Sequence, residues 1–191
     1  MTQVLTDRYF VLTGGPGSGK TTLIEALGAA GHAVAPEAGR GIIRHQVAIS
    51  GPALPWRDPA LFAELMLAWE MRSHEAARDK TGPVFFDRGV PDVIGYLRLT
   101  GLPAPAHAEE AAKNFHYNRM VFILPPWPEI FSQDGERRQD LAEAQRTYEA
   151  MVETYTACGY RLVEVPRAPV EERLRFVLEM VRQGHESSAA Q

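Results

Sequence analysis

Nine consecutive residues carry the clearest chemistry in this chain: Gly14-Gly15-Pro16-Gly17-Ser18-Gly19-Lys20-Thr21-Thr22. Gly14, Gly19, Lys20 and Thr21 fall at the spacing of a phosphate-binding loop, a glycine, four residues, then Gly-Lys-Ser/Thr. Glycines let the backbone turn its N–H groups inward around phosphate oxygens, and the N-terminus of a following helix adds partial positive charge. Residues Gly15, Pro16, Gly17, Ser18, Gly19, Lys20, Thr21 and Thr22 would then cradle a nucleoside triphosphate. Lys20 would reach its β- and γ-phosphates and the Thr21 hydroxyl would hold Mg²⁺. The flanks agree, with an apolar strand at Tyr9–Thr13 and a helix leaving through Thr22–Leu27.

A phosphate loop needs a second acid for the metal, usually at the end of an apolar strand. Two apolar strands end in proline, which leaves Asp87 and Glu37. Asp87 follows Val84-Phe85-Phe86 and is the better metal ligand by context, and Arg88 beside it would bring a guanidinium to the reaction centre. A plain strand-end salt bridge is the structural alternative for the pair. Glu37 closes the strand next after the loop helix, where a carboxylate could take a proton from an acceptor hydroxyl, with Arg40 binding an anionic part of the acceptor. Its structural alternative is a cap for the helix that follows. Arg137 and Arg138 open a long helix against the preference of its dipole for anions. They read either as a mobile lid delivering arginine to the transferring phosphate or as a solvated loop paired with Asp134 and Glu136.

The elements that must position these groups alternate. After the loop helix, Ala33–Ala35 is a short strand and 41–50 a helix stopped by Gly51. Asp58 as cap and Pro59 at the first position announce a helix to about Lys80, with apolar stripes at Leu61, Leu65, Ala68 and at Phe62, Met66, Trp69. Val84–Asp87 is a strand, 91–100 and 107–115 are helices, and Met120–Leu124 is a strand cut off by Pro125-Pro126. Leu141, Ala144, Tyr148, Met151 and Tyr155 mark a long amphipathic helix. Arg161–Val165 is the last strand, and Val170, Leu174, Val177, Leu178 and Val181 mark the last helix. Five strands alternating with helices predict one α/β domain over residues 1–184 around a mostly parallel sheet, with 185–191 an unstructured tail. The phosphate loop, Glu37, Asp87 and Pro125 would all lie at strand carboxyl ends, where such sheets bind ligands. Trp56 and Trp127 read either as packing or as lining a pocket, His116-Tyr117 as packing, and the loops 50–58 and 100–105 as candidate walls of an acceptor pocket. Pro166-Arg167-Ala168 should border the base, with nothing in it that selects ATP over GTP.

With 191 residues and a net charge of −4, the chain is sized for one core and disfavours broad nucleic-acid or anionic-membrane binding. Cys158 is alone, which excludes an internal disulfide and a cysteine-rich zinc site. Neither a basic leader followed by an apolar core nor a membrane-length apolar run is present, so a cytoplasmic location is expected.

Together the loop, Pro36-Glu37-Ala38-Gly39-Arg40, Phe86-Asp87-Arg88-Gly89, Leu124-Pro125-Pro126-Trp127 and Asp134-Gly135-Glu136-Arg137-Arg138 resemble the P-loop nucleoside and nucleotide kinases. The chain is most similar there to the AAA-type ATP-binding family grouped with the nicotinamide riboside kinase domain of NadR. That resemblance implies a three-layer sandwich with sheet order 2-3-1-4-5, ATP or GTP with Mg²⁺, and a lid at about 126–140. It also implies that Glu37 is the acceptor-activating acid and Asp87-Arg88 the Asp/Glu-Arg pair of such kinases. Two functions follow: a Mg²⁺-dependent phosphotransferase acting on an unspecified small molecule, or a regulatory ATPase/GTPase-like or phosphoinositide-binding protein that turns nucleotide over slowly. The acid and the arginine pair favour the first.

Overall fold

The computed structural model describes residues 6–130 and 141–189. Its centre is a sheet of five strands: β1 (Tyr9–Gly14), β2 (Ala33–Ala35), β3 (Val84–Asp87), β4 (Met120–Leu124) and β5 (Arg161–Glu164). They lie in the order β2-β3-β1-β4-β5 with every pairing parallel, the order expected from the sequence resemblance. Parallel strands need crossovers, and these are the helices α1 (Lys20–Ala29), α2 (Ala38–Ala48), α3 (Pro59–Ala76), α4 (Val90–Leu99), α5 (Ala106–Asn114), α6 (Leu141–Ala157) and α7 (Val170–Ala189).

Both sheet faces are covered, so the central strands are apolar on both sides rather than alternating with polar residues. Phe10, Leu12, Phe85, Phe122 and Leu124 face α1 and α7 through Leu23, Ile24, Leu27, Val177 and Val181. Tyr9, Val11, Phe86, Val121 and Ile123 face the opposite layer, where Leu67, Val93, Ile94, Leu97, Met151 and Tyr155 pack. A smaller cluster of Ala38, Ile42 and Phe62, with Trp69 and Tyr96 against it, joins α2 to α3 and α4 above the strand ends.

Several boundaries differ from the sequence reading, each for a local reason. Helix α2 begins at Ala38 rather than 41, because Gly39 and Gly41 are accommodated inside the helix, where Ala38 and Ile42 anchor the buried side. Asp58 caps α3 as expected, its Oδ1 accepting from the Leu61 amide at 2.9 Å, but the helix ends at Ala76. Its buried stripe is Phe62, Ala63, Leu67, Glu70 and His74, while Leu61 is turned outward. Helix α7 runs on to Ala189, past Gly184, where an irregular tail was expected. One glycine in a helix costs only ~1 kcal/mol, which flanking residues can offset.

Candidate active site

Strand β1 delivers the phosphate loop at the carboxyl edge of the sheet, and the loop is packed tightly from behind. A methyl group at Gly14 would stand 2.4 Å from the Leu124 carbonyl oxygen, and one at Gly15 would stand 2.5 Å from that of Ala144 on α6. Only glycine fits either position. Gly17 and Gly19 adopt positive φ, and Ser18 Oγ donates to the Gly15 carbonyl at 2.9 Å, which fixes the curl of the loop. Arg173 on α7 donates to the Gly19 carbonyl at 2.9 Å and lies over the Trp127 ring at 5.4 Å. Thus the half-buried Trp127 and a buried arginine brace the loop at the start of α1. The outer side of the loop, including Thr21 and Thr22, is exposed.

Lys20 is buried and its Nζ is paired with Asp87 Oδ1. Leu12 on β1 is in register with Asp87 on β3, so the sheet itself sets the acid beside the loop lysine. A triphosphate arriving in the loop would compete for that lysine and free the Asp87 carboxylate. Asp87 and the Thr21 hydroxyl are hard oxygen donors, and Mg²⁺ takes one or two such protein ligands with phosphate and water completing its octahedron. No group of three or more His, Cys, Asp or Glu residues able to hold a metal occurs among the described residues. The two oxygen donors, Asp87 and Thr21, fit a metal that enters with the nucleotide.

Beyond Asp87 the chain turns sharply. Arg88 has φ 78°, an uncommon conformation for a non-glycine residue, while its amide still bonds the Leu12 carbonyl at 3.0 Å. The turn aims the guanidinium between two carboxylates: Nε to Glu37 Oε1 at 3.3 Å and Nη1 to Asp92 Oδ1 at 3.2 Å. Burial works against its charge, but Glu37, Asp92 and Asp87 outweigh it and push the Arg88 pKa up. Arg88 is thus a clamp on two acids in the turn that follows Asp87. Arg40 is largely exposed and pairs with Glu37 Oε2 at 3.2 Å.

Glu37 stands at the N-cap position of α2, where the structural alternative placed it, and its carboxylate makes no capping hydrogen bond. Burial alone would raise its pKa. The charges of Lys20, Arg88 and Arg40, with the Arg88 hydrogen bond, prevail and bring it down to about 2. Glu37 is therefore an ionised carboxylate within the field of the phosphate-loop lysine.

Asp92 was missed in the sequence. It lies buried in the first turn of α4 and accepts from four groups: Thr13 Oγ1 at 2.5 Å, the Gly89 amide at 2.9 Å, Arg88 Nη1 and Tyr155 Oη at 2.6 Å. One carboxylate thereby ties β1, the turn after β3 and α6 together. Its signal in the sequence was the acid three residues after Gly89, at the start of a helix opened by Val90-Pro91. Glu70 was missed too, as a charged residue on the apolar stripe of α3.

Three expectations fall elsewhere. Arg137 and Arg138, with most of the segment assigned to a lid, lie outside the described residues. The loop 100–105 helps line an apolar hollow of about 320 Å³ at the carboxyl end of α4, with Ala60, Glu64 and Leu97. Trp56 is 69% exposed, so it is no part of the core. No helix among the described residues is long and apolar enough to cross a membrane.

Known structures share this architecture at low identity. NadR in complex with NR superposes with a TM-score of 0.66 at 17% identity over 93% of this chain, which spans only 51% of the NadR chain. Deoxyadenosine kinase from M. mycoides gives 0.63 at 12% identity, covering 92% of this chain and 99% of the kinase. Thymidylate kinase from Ehrlichia chaffeensis gives 0.59 at 13% identity, covering 92% and 98%. No curated protein sequence matches the chain. A family model described as an AAA domain matches residues 9–173, a span that holds the loop, both candidate acids, the arginine clamp and all five strands. The chain belongs to that AAA-domain family, and its fold is that of the P-loop nucleotide kinase-like proteins.

Proposed function

We propose that this protein is a Mg²⁺-dependent phosphotransferase that moves the γ-phosphoryl group of ATP, or of GTP, to a hydroxyl of a small molecule. The observation that carries this reading is the ionised Glu37, set by Arg88 at the strand ends within electrostatic reach of Lys20. A nucleotide switch that only senses or slowly hydrolyses triphosphate has no need of a second carboxylate held there, whereas transfer to a hydroxyl does.

In this mechanism the loop amides and Lys20 hold the β- and γ-phosphates. Mg²⁺, when bound through Asp87 and Thr21, supplies neutralisation of the charge on the phosphate oxygens. Glu37 orients the acceptor hydroxyl toward the γ-phosphorus. As the new O–P bond forms, the bond from that phosphorus to the β–γ bridging oxygen breaks, and the hydroxyl proton passes to Glu37. A carboxylate with a pKa of about 2 is a weak base, which suits a loose transition state in which the proton leaves late and positioning contributes most. Arg88 holds Glu37 in place, the exposed Arg40 would meet an anionic part of the acceptor, and Arg137 or Arg138 would add charge to the phosphate.

Kinases sharing this fold act on acceptors as different as nucleosides and shikimate, so the fold does not choose among them. The test is a panel of nucleosides, vitamins and sugars incubated with ATP and Mg²⁺ and read by mass spectrometry. At least one should gain a phosphate. ATP hydrolysis that is equally fast with and without every acceptor, and no phosphorylated product, would refute the reading and favour a switch.

A further inference from the structure

Asp92 has more partners than the start of a helix requires. A first-turn acid that served α4 alone would need only the Gly89 amide, which Asp92 Oδ2 accepts at 2.9 Å. Oδ2 also accepts from Tyr155 Oη at 2.6 Å, while Oδ1 accepts from Thr13 Oγ1 at 2.5 Å and from Arg88 Nη1 at 3.2 Å. Two donors thus meet each oxygen, which fixes both the place and the plane of the carboxylate. Thr13, Tyr155 and Asp92 are all buried, so these bonds are made out of reach of solvent. A buried cluster of this kind adds little to stability over apolar residues of similar volume, and its stronger effect is on geometry.

Both hydroxyls come from parts of the fold that are themselves held in place. Thr13 lies in the middle strand of the sheet and is the last residue before Gly14, where the phosphate loop begins. Tyr155 comes from α6, which is seated on α4 along Asp92, Gly95 and Arg98. A methyl group at Gly95 would stand 2.6 Å from Met151 Cε, and Arg98 Nη1 donates to Thr154 Oγ1 at 3.2 Å. The same helix sets its Ala144 carbonyl against Gly15 of the loop. Asp92 is therefore referenced to the phosphate loop from two sides, through β1 and through α6.

Arg88 carries that reference forward. Its guanidinium is planar and rigid, so an Nη1 held by Asp92 sets the direction of the Nε–H that meets Glu37 Oε1 at 3.3 Å. Hydrogen bonds from Thr13 to Asp92, from Arg88 to Asp92 and from Arg88 to Glu37 thus run in series from the loop strand to the acid. We propose that Asp92 is a positioning residue of the phosphotransfer site: with Thr13 and Tyr155 it fixes Arg88, and through Arg88 it sets where the Glu37 carboxylate stands relative to the phosphate loop. The proposal rests on the reading that Glu37 receives the acceptor hydroxyl. Transfer needs the reacting atoms about 3–3.5 Å apart and aligned, and a displacement of ~1 Å costs about a hundredfold in rate. A strut that fixes the acid against the loop serves that requirement.

Tyr155→Phe and Thr13→Val test this on the full chain, since each keeps the outline of the side chain and removes one hydroxyl from Asp92. They lie on different elements, so one failing to fold leaves the other to decide. With the acceptor that the parent phosphorylates, each should lower kcat about tenfold to a hundredfold and leave the KM for ATP within about twofold. A cycle with Glu37→Gln separates positioning from general loosening of the fold. If Tyr155 acts through Glu37, Tyr155→Phe should slow the Glu37→Gln enzyme by less than about twofold more, whereas losses that multiply in full overturn the proposal. A further measurement needs no acceptor. The Arg88 Nε–H, assigned in NMR spectra by its absence from Arg88→Lys, should exchange with solvent slowly in the parent and at least about tenfold faster in both variants, with the backbone amide spectrum otherwise kept. Exchange unchanged in both variants, or an unchanged kcat beside an active parent, overturns this proposal alone. A parent that phosphorylates nothing overturns the phosphotransfer reading and the positioning role with it.

Discussion

Replacing Glu37 by glutamine separates the roles that the structure brings together at this residue. Glutamine keeps the shape and can still accept from Arg88, but it has no charge and cannot take a proton. Loss of a positioned acid or base costs ~10²–10⁴-fold in rate, so turnover with the acceptor should fall by that factor while ATP affinity changes little. The same substitution has a stability signature of calculable size. Moving a carboxyl from 4.5 to about 2 represents roughly 3 kcal/mol, since each pH unit is worth ~1.36 kcal/mol. Because the folded-state value is depressed, that stability is present above about pH 4.5 and lost as pH falls toward about 2. At neutral pH Glu37→Gln should thus be less stable by up to that amount, and in strong acid parent and variant should converge. Urea unfolding at a series of pH values, together with steady-state phosphotransfer, measures both effects. Full turnover in a variant with the expected stability loss would show that Glu37 is only the partner of Arg88 and would refute the mechanism.

Lys20→Ala should abolish most nucleotide affinity. It should also lower stability by ~3–5 kcal/mol, because it leaves Asp87 buried without its partner. Lys20→Ala with Asp87→Asn should recover much of the melting temperature but none of the affinity, as calorimetry and fluorescence titration would show. Asp87→Asn alone should weaken the Mg²⁺ dependence of turnover far more than it weakens nucleotide binding without metal; an unchanged Mg²⁺ titration would make Asp87 purely structural. Gly15→Ala should destabilise the fold by ~1–3 kcal/mol and loosen the loop, since its methyl would press on the Ala144 backbone at 2.5 Å. A normal melting temperature would contradict that contact. Arg137→Ala or Arg138→Ala should slow turnover by about two orders of magnitude if either reaches the transferring phosphate, against almost no change for an exposed ion pair.

The phosphate loop, the five strands, most helices and the candidacy of Glu37 and Asp87 were legible in the sequence because each depends on local pattern. A glycine spacing, an apolar run or a cap acts over a few residues, and nothing distant is needed to recognise it. The partners of those residues were not legible. Lys20 and Asp87 meet because β1 and β3 are neighbours in register, 67 positions apart along the chain. Asp92 looked like an ordinary first-turn acid until Thr13 and Tyr155 came to it from β1 and α6. Arg88 was read as bringing a guanidinium to the reaction centre, but its two partners there, Glu37 and Asp92, are set by the left-handed turn after β3. Glu70 was hidden because the stripes read from the sequence ran through neighbouring positions, and packing decided which face of α3 is buried. Sequence thus determined which groups are present and which strand end or loop carries them. The choice of partner, and with it each group's protonation, was decided by the packing of parallel strands and helices distant in sequence, because electrostatic fields act through space and follow the fold rather than the chain.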